Sequence, residues 1–280
     1  MLCLVCGSQM KADLLDGIYR CPQCGFYAST FTHRINGEEP LDELRREDAL
    51  QSLRVSNFER ILDECKDVIA PSATILDVGC GHGWFLSRAR ARGYRAIGIE
   101  PDEGMAQIAR GSGHEVRVGF FPDVLNADER YDAITFNDVF EHLEDVRGAA
   151  SAVAAHLKDP GTLIINLPVS DGLIFRLARV AARFGFHGAF SRMWQRGFPS
   201  PHLSYFSAST LPRFMERQNF TLVRSGRLES LRTEGLFQRI RYDRSVGLLK
   251  ASALYLTACA LSLVTRLFPS DTRYFVFRKK

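Results

Sequence analysis

Along the chain, short apolar runs alternate with longer amphipathic ones, the period-2 and period-3.6 signatures that mark strands and helices. Residues 75–78, 96–99, 116–118, 131–137 and 163–167 are short, rich in β-branched side chains and bounded by glycine or polar turns. That pattern predicts strands buried on both faces, as in a parallel sheet. Helical runs follow the first two of these strands, one starting near Trp84 and one running from Asp102 to Arg110. The alternation predicts a parallel sheet with right-handed crossovers. Further on, 206–217 reads as a helix, 221–225 as a sixth strand and 274–277 as a seventh. The fold expected is therefore α/β, doubly wound and Rossmann-like, with a seven-stranded sheet. Ahead of the first strand, residues 41–68 carry Leu50, Leu53, Phe58, Ile61, Leu62 and Val68 amid charges. This predicts a helix that packs over the main domain and covers a ligand bound there.

The densest chemistry lies at the end of the first strand, in Asp77-Val-Gly79-Cys-Gly81-His-Gly83. Glycines at alternate positions let the backbone take left-handed dihedrals and approach a ligand closely. The helix that follows aims its free N–H groups back at the loop. The second strand ends on Glu100, placed to accept the two hydroxyls of a ribose. The spacing is not that of the pyrophosphate-binding Gly-x-Gly-x-x-Gly loop, and Asp77 ahead of the first glycine would repel a pyrophosphate. A nucleoside bearing an amino acid carries an ammonium group that Asp77 can help to hold, directly or through water. With both acids in register, the stretch resembles motif I of the class I S-adenosylmethionine methyltransferases, against the alternative of a glycine turn in an unrelated α/β fold. The resemblance implies S-adenosylmethionine as cofactor and the strand order 3-2-1-4-5-7-6 with the seventh strand antiparallel. The cofactor-binding residues it implies are Asp77, Gly79, Gly81, Gly83, Glu100, Pro101, Asp102, Met105 and Asn137. Phe120 and Phe121 follow the third strand, where an aromatic either lies on the adenine or belongs to the core.

Three more motifs narrow the branch: Glu141-His142-Leu143, Asn166-Leu-Pro168, and His202-Leu-Ser-Tyr205-Phe206-Ser207. Together with the glycine loop they resemble the small-molecule methyltransferases that include the ubiquinone-biosynthesis O-methyltransferases and sugar methyltransferases, over roughly residues 74 to 225. Methyl transfer is a displacement in which positioning and exclusion of water do most of the work. An oxygen nucleophile gains from a base near neutral pH, which suits imidazole. His142 and His202 are the candidate bases, with Glu141 orienting an imidazole or binding the acceptor; the alternative is that both histidines are structural.

The cysteines add a second domain. Cys3-x-x-Cys6-Gly and Cys21-x-x-Cys24-Gly are separated by fourteen residues. Two such knuckles offer four thiolates to one tetrahedral ion, which predicts a structural zinc ribbon. A redox dithiol accounts for one pair but not two. Four protein ligands leave no open position for chemistry. The expected organisation is a ribbon over 1–32, a linker and helix over 33–73, whose 33–40 stretch is polar and turn-rich, and a methyltransferase domain over 74–280 with insertions at 171–203 and 228–270.

Charge changes the picture only locally. The net charge of +4 is too small to argue for nucleic acid, and 46% hydrophobic residues is ordinary for a globular protein. Residues 172–215, however, hold Arg176, Arg179, Arg183, Arg192, Arg196 and Arg213 and not one acid. On a helical wheel Leu173, Leu177, Val180 and Phe184 share one face beside Arg176, Arg179 and Arg183. That is either a basic amphipathic helix for an anionic membrane or phosphates, or a lid whose arginines are solvated. Residues 251–265 form an uncharged run of fifteen. As a helix it rises about 22 Å, short of the roughly 30 Å hydrocarbon core. A buried or interfacial helix is expected, with Lys250 and Arg266 suited to snorkelling. The chain begins directly in a cysteine pair without the apolar run of a signal peptide, which with the cysteine usage predicts a cytoplasmic protein, membrane association allowed. The partners expected are a small-molecule, sugar or lipid-linked acceptor. The rival readings are an RNA methyltransferase that uses the ribbon for RNA recognition, disfavoured by the modest charge, and a catalytically silent binding module.

Overall fold

The computed structural model describes residues 1–33, 43–196, 198–230, 236–242, 247–265 and 268–280. Most of the 33–40 linker and Arg266 thus lie outside the described residues. Three short strands, β1 (Lys11–Ala12), β2 (Ile18–Arg20) and β3 (Tyr27–Ser29), form an antiparallel ribbon carrying the two cysteine knuckles. Helix α1 (Glu43–Cys65) follows and buries Phe58, Ile61, Leu62 and Cys65, spaced one helical face apart, against the main domain. Its Phe58 meets Phe85 edge-to-face at 5.6 Å.

The main sheet begins at β4 (Thr74–Val78) and continues through α2 (Trp84–Ala91), β5 (Arg95–Glu100), α3 (Glu103–Gly111), β6 (Glu115–Val118) and β7 (Tyr131–Asn137). A single 3-10 turn (Phe140–His142), α4 (Val146–His156) and β8 (Leu157–Pro168) complete the parallel part. The insertion after β8 forms α5 (Leu173–Arg183) and α6 (His187–Met193), then β9 (Ser204–Tyr205) and α7 (Thr210–Glu216). The sheet closes with β10 (Phe220–Leu228), the helices α8 (Leu236–Tyr242) and α9 (Leu248–Thr265), and β11 (Thr272–Lys279). The order is β6-β5-β4-β7-β8-β11-β10, with β11 antiparallel to both neighbours. This is the order and polarity the resemblance implied. β4 and β7, fully apolar at Ile75, Leu76, Ile134 and Phe136, sit at the centre and bury both faces.

Two elements differ from the sequence expectation. The helix expected over 206–217 starts only at Thr210, because Ser207 and Thr210 close a side-chain turn ahead of it. The preceding residues instead form β9, which pairs antiparallel with β3 and adds a fourth strand to the ribbon. A second core forms where this sheet meets α5 and α6: Tyr27, Phe175, Phe190, Trp194 and Tyr205 pack as edge-on and tilted aromatic pairs.

Helix α5 has no side-chain cap of its own. Asp271, from just before β11, supplies one: its carboxylate oxygens accept from Ile174 N at 3.0 Å and Phe175 N at 2.8 Å. Replacing Asp271 by Ala leaves two buried donors without that acceptor and is expected to cost about 1–2 kcal/mol. Thermal unfolding should show a fall in Tm of a few degrees, and an unchanged Tm would exclude this anchoring role.

Candidate functional site

The glycine loop sits at the carboxyl end of β4, between the ends of β5 and β7. Gly79 has φ +70°, and a Cβ there would lie 2.5 Å from Val139 Cγ2, so only glycine fits. The amides of Gly79 and Cys80 both donate to Ile99 O, at 2.8 and 3.0 Å, which bends the loop back over β5. Glu100 then fixes the loop's next residue: Oε2 accepts from Gly81 N at 2.8 Å and Oε1 from Asp102 N at 3.0 Å. Asp102 caps α3 by accepting from Met105 N at 2.8 Å, so its carboxylate shapes the rim of the site.

Asp77 lies beneath the loop rather than on its surface. It is buried, and its Oδ1 accepts from Thr135 Oγ1 at 2.7 Å and Asn137 Nδ2 at 2.9 Å. Desolvation pushes its carboxyl up to about 7, against the pull of those two donors. Asn137 Oδ1 is buried without a hydrogen-bond partner among the described residues, an acceptor left for a ligand. The two phenylalanines after β6 part company: Phe121 packs edge-on against Phe136, while Phe120 is exposed. An orphaned buried acceptor, a loop with glycine at every other position and an exposed aromatic are what an adenosine bearing an amino-acid tail requires.

A second cluster begins one residue past β7. Asp138 takes φ +55°, a strained conformation for a non-glycine residue, and lies 3.6 Å from Arg54 of α1. The helix thereby reaches over this end of the sheet. The 3-10 turn then places Glu141 and His142 beside His202, with ligand atoms of all three within 4.8 Å of one another. The two imidazoles meet edge-on at 4.7 Å. His142 Nδ1 is 2.9 Å from the carbonyl of Pro201, an acceptor that favours the tautomer protonated there, and 3.1 Å from Ser200 Oγ. Its Nε2 lies 4.0 Å from Glu141 Oε1. Burial, and the neighbouring Asp138, push the Glu141 carboxyl well above the usual range. Glu141 Oε2 has no hydrogen-bond partner among the described residues.

His202 is delivered by the ribbon. Ser29 donates its Oγ to His202 O at 2.8 Å and its N to Leu203 O at 2.9 Å. Leu203 N in turn donates to Glu141 O at 2.8 Å. Gln195, at the end of the insertion, places its amide 2.9 Å from His202 Nε2. In the ribbon itself the four cysteines have no disulfides, their sulfurs cluster within 4.8 Å, and Cys3–Cys24 and Cys6–Cys21 approach to 3.5 Å. Zn–S bonds of about 2.3 Å in a tetrahedron put sulfurs about 3.8 Å apart, so this donor set fits a structural zinc. Gly7 and Gly25 follow the knuckles at φ +77° and +80°.

Sequence reasoning missed Thr135, Pro201, Ser29 and Gln195. Thr135 was the accessible one, since it lies two residues before Asn137 on the same face of β7. Pro201 acts through its carbonyl, Ser29 through a contact 173 positions away, and Gln195 through a side-chain amide on a turn whose path the sequence does not show.

A family profile described as "Methyltransferase domain" matches residues 46–225. The ubiquinone biosynthesis O-methyltransferase of Xanthomonas campestris pv. campestris (strain B100) is 32% identical over 125 residues, 42% of this chain and 52% of that protein. Its namesake in Alkalilimnicola ehrlichii is 33% identical over 99 residues, 33% of this chain and 40% of that protein. The chain thus spans about half the length of the curated relatives it matches, or less. Among solved structures, a SAM-dependent methyltransferase from Archaeoglobus fulgidus superposes with TM-score 0.53 at 16% identity, covering 84% of this chain and 99% of that one. Magnesium protoporphyrin IX methyltransferase from Synechocystis, with bound SAH, gives TM-score 0.51 at 16% identity, covering 88% and 92%.

The buried Asp77 has a measurable consequence. Its carboxyl is raised by folding, so the stability it allows is complete at acid pH and is lost as pH rises through about 7. Asp77→Asn removes that ionisation. The stability of the variant relative to the parent should therefore rise by roughly 1 kcal/mol or more between about pH 5 and pH 7.5. Denaturant unfolding at several pH values measures it, and a pH-independent difference would refute it.

Proposed function

The chain belongs to the methyltransferase-domain family, and on that premise we propose that it transfers a methyl group from S-adenosylmethionine to an oxygen of a small-molecule, sugar or lipid-linked acceptor. The observation that carries the reading is the juxtaposition at the ends of β4, β5 and β7 of a glycine loop clasped by Glu100 and a histidine pair next to a buried carboxyl. The O-methyltransferase names of the relatives support oxygen as the target.

In this reading Gly79, Gly81 and Gly83 give the cofactor close access to backbone. Glu100 takes the ribose hydroxyls, and Asn137 Oδ1 and the ionised Asp77 face the amino-acid end. Pro101, Asp102, Met105 and Phe120 line the adenosine side. The sulfonium supplies a methyl group already activated for displacement. His142 Nε2 takes the proton from the acceptor hydroxyl as its oxygen attacks, and the C–S pair leaves on sulfur. Glu141, whose Oε1 lies 4.0 Å from that Nε2, orients the imidazole. His202 fixes the far side of the acceptor pocket. Residues 1–32 form a ribbon held by zinc on Cys3, Cys6, Cys21 and Cys24, a closed four-thiolate site that positions and does not react. Residues 74–280 carry the methyltransferase domain, with insertions at 171–203 and 228–270.

The test is transfer of labelled methyl from S-adenosylmethionine into fractionated cell extract. Label is expected in the lipid or small-glycan fraction, in alkali-stable ether linkage. On the labelled acceptor, His142→Ala should lower kcat roughly a hundred- to ten-thousand-fold while leaving affinity for S-adenosylhomocysteine nearly unchanged. Label in RNA, or full activity in His142→Ala, would overturn the reading.

A further inference from the structure

Helix α5 turns an unexpected face inward. Phe175, Ala178 and Ala182, spaced three and four residues apart, pack into the aromatic core against the ribbon. The opposite stripe faces outward: Leu177 is 50% exposed, Val180 49% and Phe184 77%, and Phe186 just beyond the helix is 72% exposed. Arg176 and Arg183 flank this stripe and are exposed. Arg179 is turned away, its guanidinium paired with Asp13 at 3.0 Å and lying 5.8 Å from the Tyr27 ring centroid. Among the described residues neither Arg176 nor Arg183 has an ion-pair partner.

Pro269 O accepts from Leu173 N at 3.1 Å, which sets the neighbouring residue close to the start of α5. That neighbour, Phe268, is exposed as well. Large apolar side chains in contiguous exposure mark a surface that something covers.

We propose that the outer face of α5, with Phe186 just beyond it, docks on an anionic lipid surface. Charge decides between the occupants. Residues 172–215 contain six arginines and no acid. In a two-fold contact between copies the same patch meets itself, which would set Arg176 and Arg183 against their own images with no carboxylate on the helix itself to separate them. Anionic headgroups pair with those guanidiniums while Leu177, Val180, Phe184 and Phe186 enter the acyl boundary, the arrangement of an interfacial helix. The contact is peripheral, since no described helix is long and apolar enough to cross a membrane.

The proposal is independent of which acceptor is methylated, and its readout is physical. The purified full-length protein is sedimented with vesicles of phosphatidylcholine alone or mixed with phosphatidylglycerol. Capture is expected on the mixed vesicles, falling with added salt. Arg176→Gln and Arg183→Gln should each weaken it roughly fivefold. Phe184→Ser combined with Phe186→Ser should remove most of it without lowering Tm, since both side chains are already solvent-exposed. Equal capture by neutral vesicles, or none by either, would overturn the proposal. So would a vesicle-free dimer in sedimentation equilibrium that Phe184→Ser dissolves, because a second copy would then be the occupant.

Discussion

Leu203 links the two halves of this protein at the candidate site. It donates its N–H to Glu141 O and accepts at its own carbonyl from Ser29 N. Two successive peptide units thus tie β3 of the ribbon to the turn that follows β7. The placement of His202 depends on that link, because His202 directly precedes Leu203 and the residue after Leu203 starts β9. A two-residue strand cannot hold itself in place. It persists here because β3 is a preformed edge with unpaired backbone groups, and because Tyr205 and Phe206 anchor it in two different cores. The ribbon, in turn, is too small to build a sufficient core alone. Binding of a structural zinc contributes apparent free energies on the order of 10–16 kcal/mol in such modules. Order in the four-cysteine cluster is thereby linked, through β3 and Leu203, to order at His142 and His202.

The central strands bear the other constraint, which is two buried carboxyls. Asp77 and Glu141 both lie at the ends of β4 and β7, and both are raised by desolvation. Burying such groups is costly unless they meet donors or are neutralised. Asp77 meets two donors and still titrates near neutrality, so an approaching cation shifts it to the ionised form. Glu141 has no donor on Oε2 among the described residues, and burial with the neighbouring Asp138 raises it. Glu100 is the contrasting case, since two backbone amides already satisfy it and it serves as a clasp. Environment therefore sorts three carboxyls near one edge of the sheet into three different tasks.

What was legible in the sequence is what local pattern controls. Apolar runs located all seven strands of the main sheet within a few residues, and the resemblance at the glycine loop supplied their order. The cysteine spacing marked the ribbon. The faces were harder. On a helical wheel Leu177, Val180 and Phe184 form the larger apolar stripe of α5, yet the buried stripe is Phe175, Ala178 and Ala182. Small side chains let the helix approach the ribbon closely, and hydrophobicity alone does not reveal that. The polar ties to the ribbon were equally hidden. Ser29 and His202 stand 173 positions apart and meet through the Ser29 hydroxyl and the His202 carbonyl, an acceptor that every residue carries. Asp102 and Asp271 illustrate the same gap: each acid is recognisable, but only the fold shows that both are spent on helix termini.

The two segments beyond the methyltransferase core are then parts of one construction. The insertion after β8 is capped by Asp271 from the far end of the chain, braced on the ribbon through Arg179 and Asp13, and closed by Gln195 against His202. Removing the ribbon would expose Phe175, Trp194 and Tyr205 together. The ribbon and the insertion therefore require each other, and the histidine between them inherits its position from both. On the proposed reading, the acceptor side owes its shape less to the sheet beneath it than to added segments that pack on one another. Changing the acceptor would mean reshaping the ribbon and the insertion together, while the cofactor loop stays as it is.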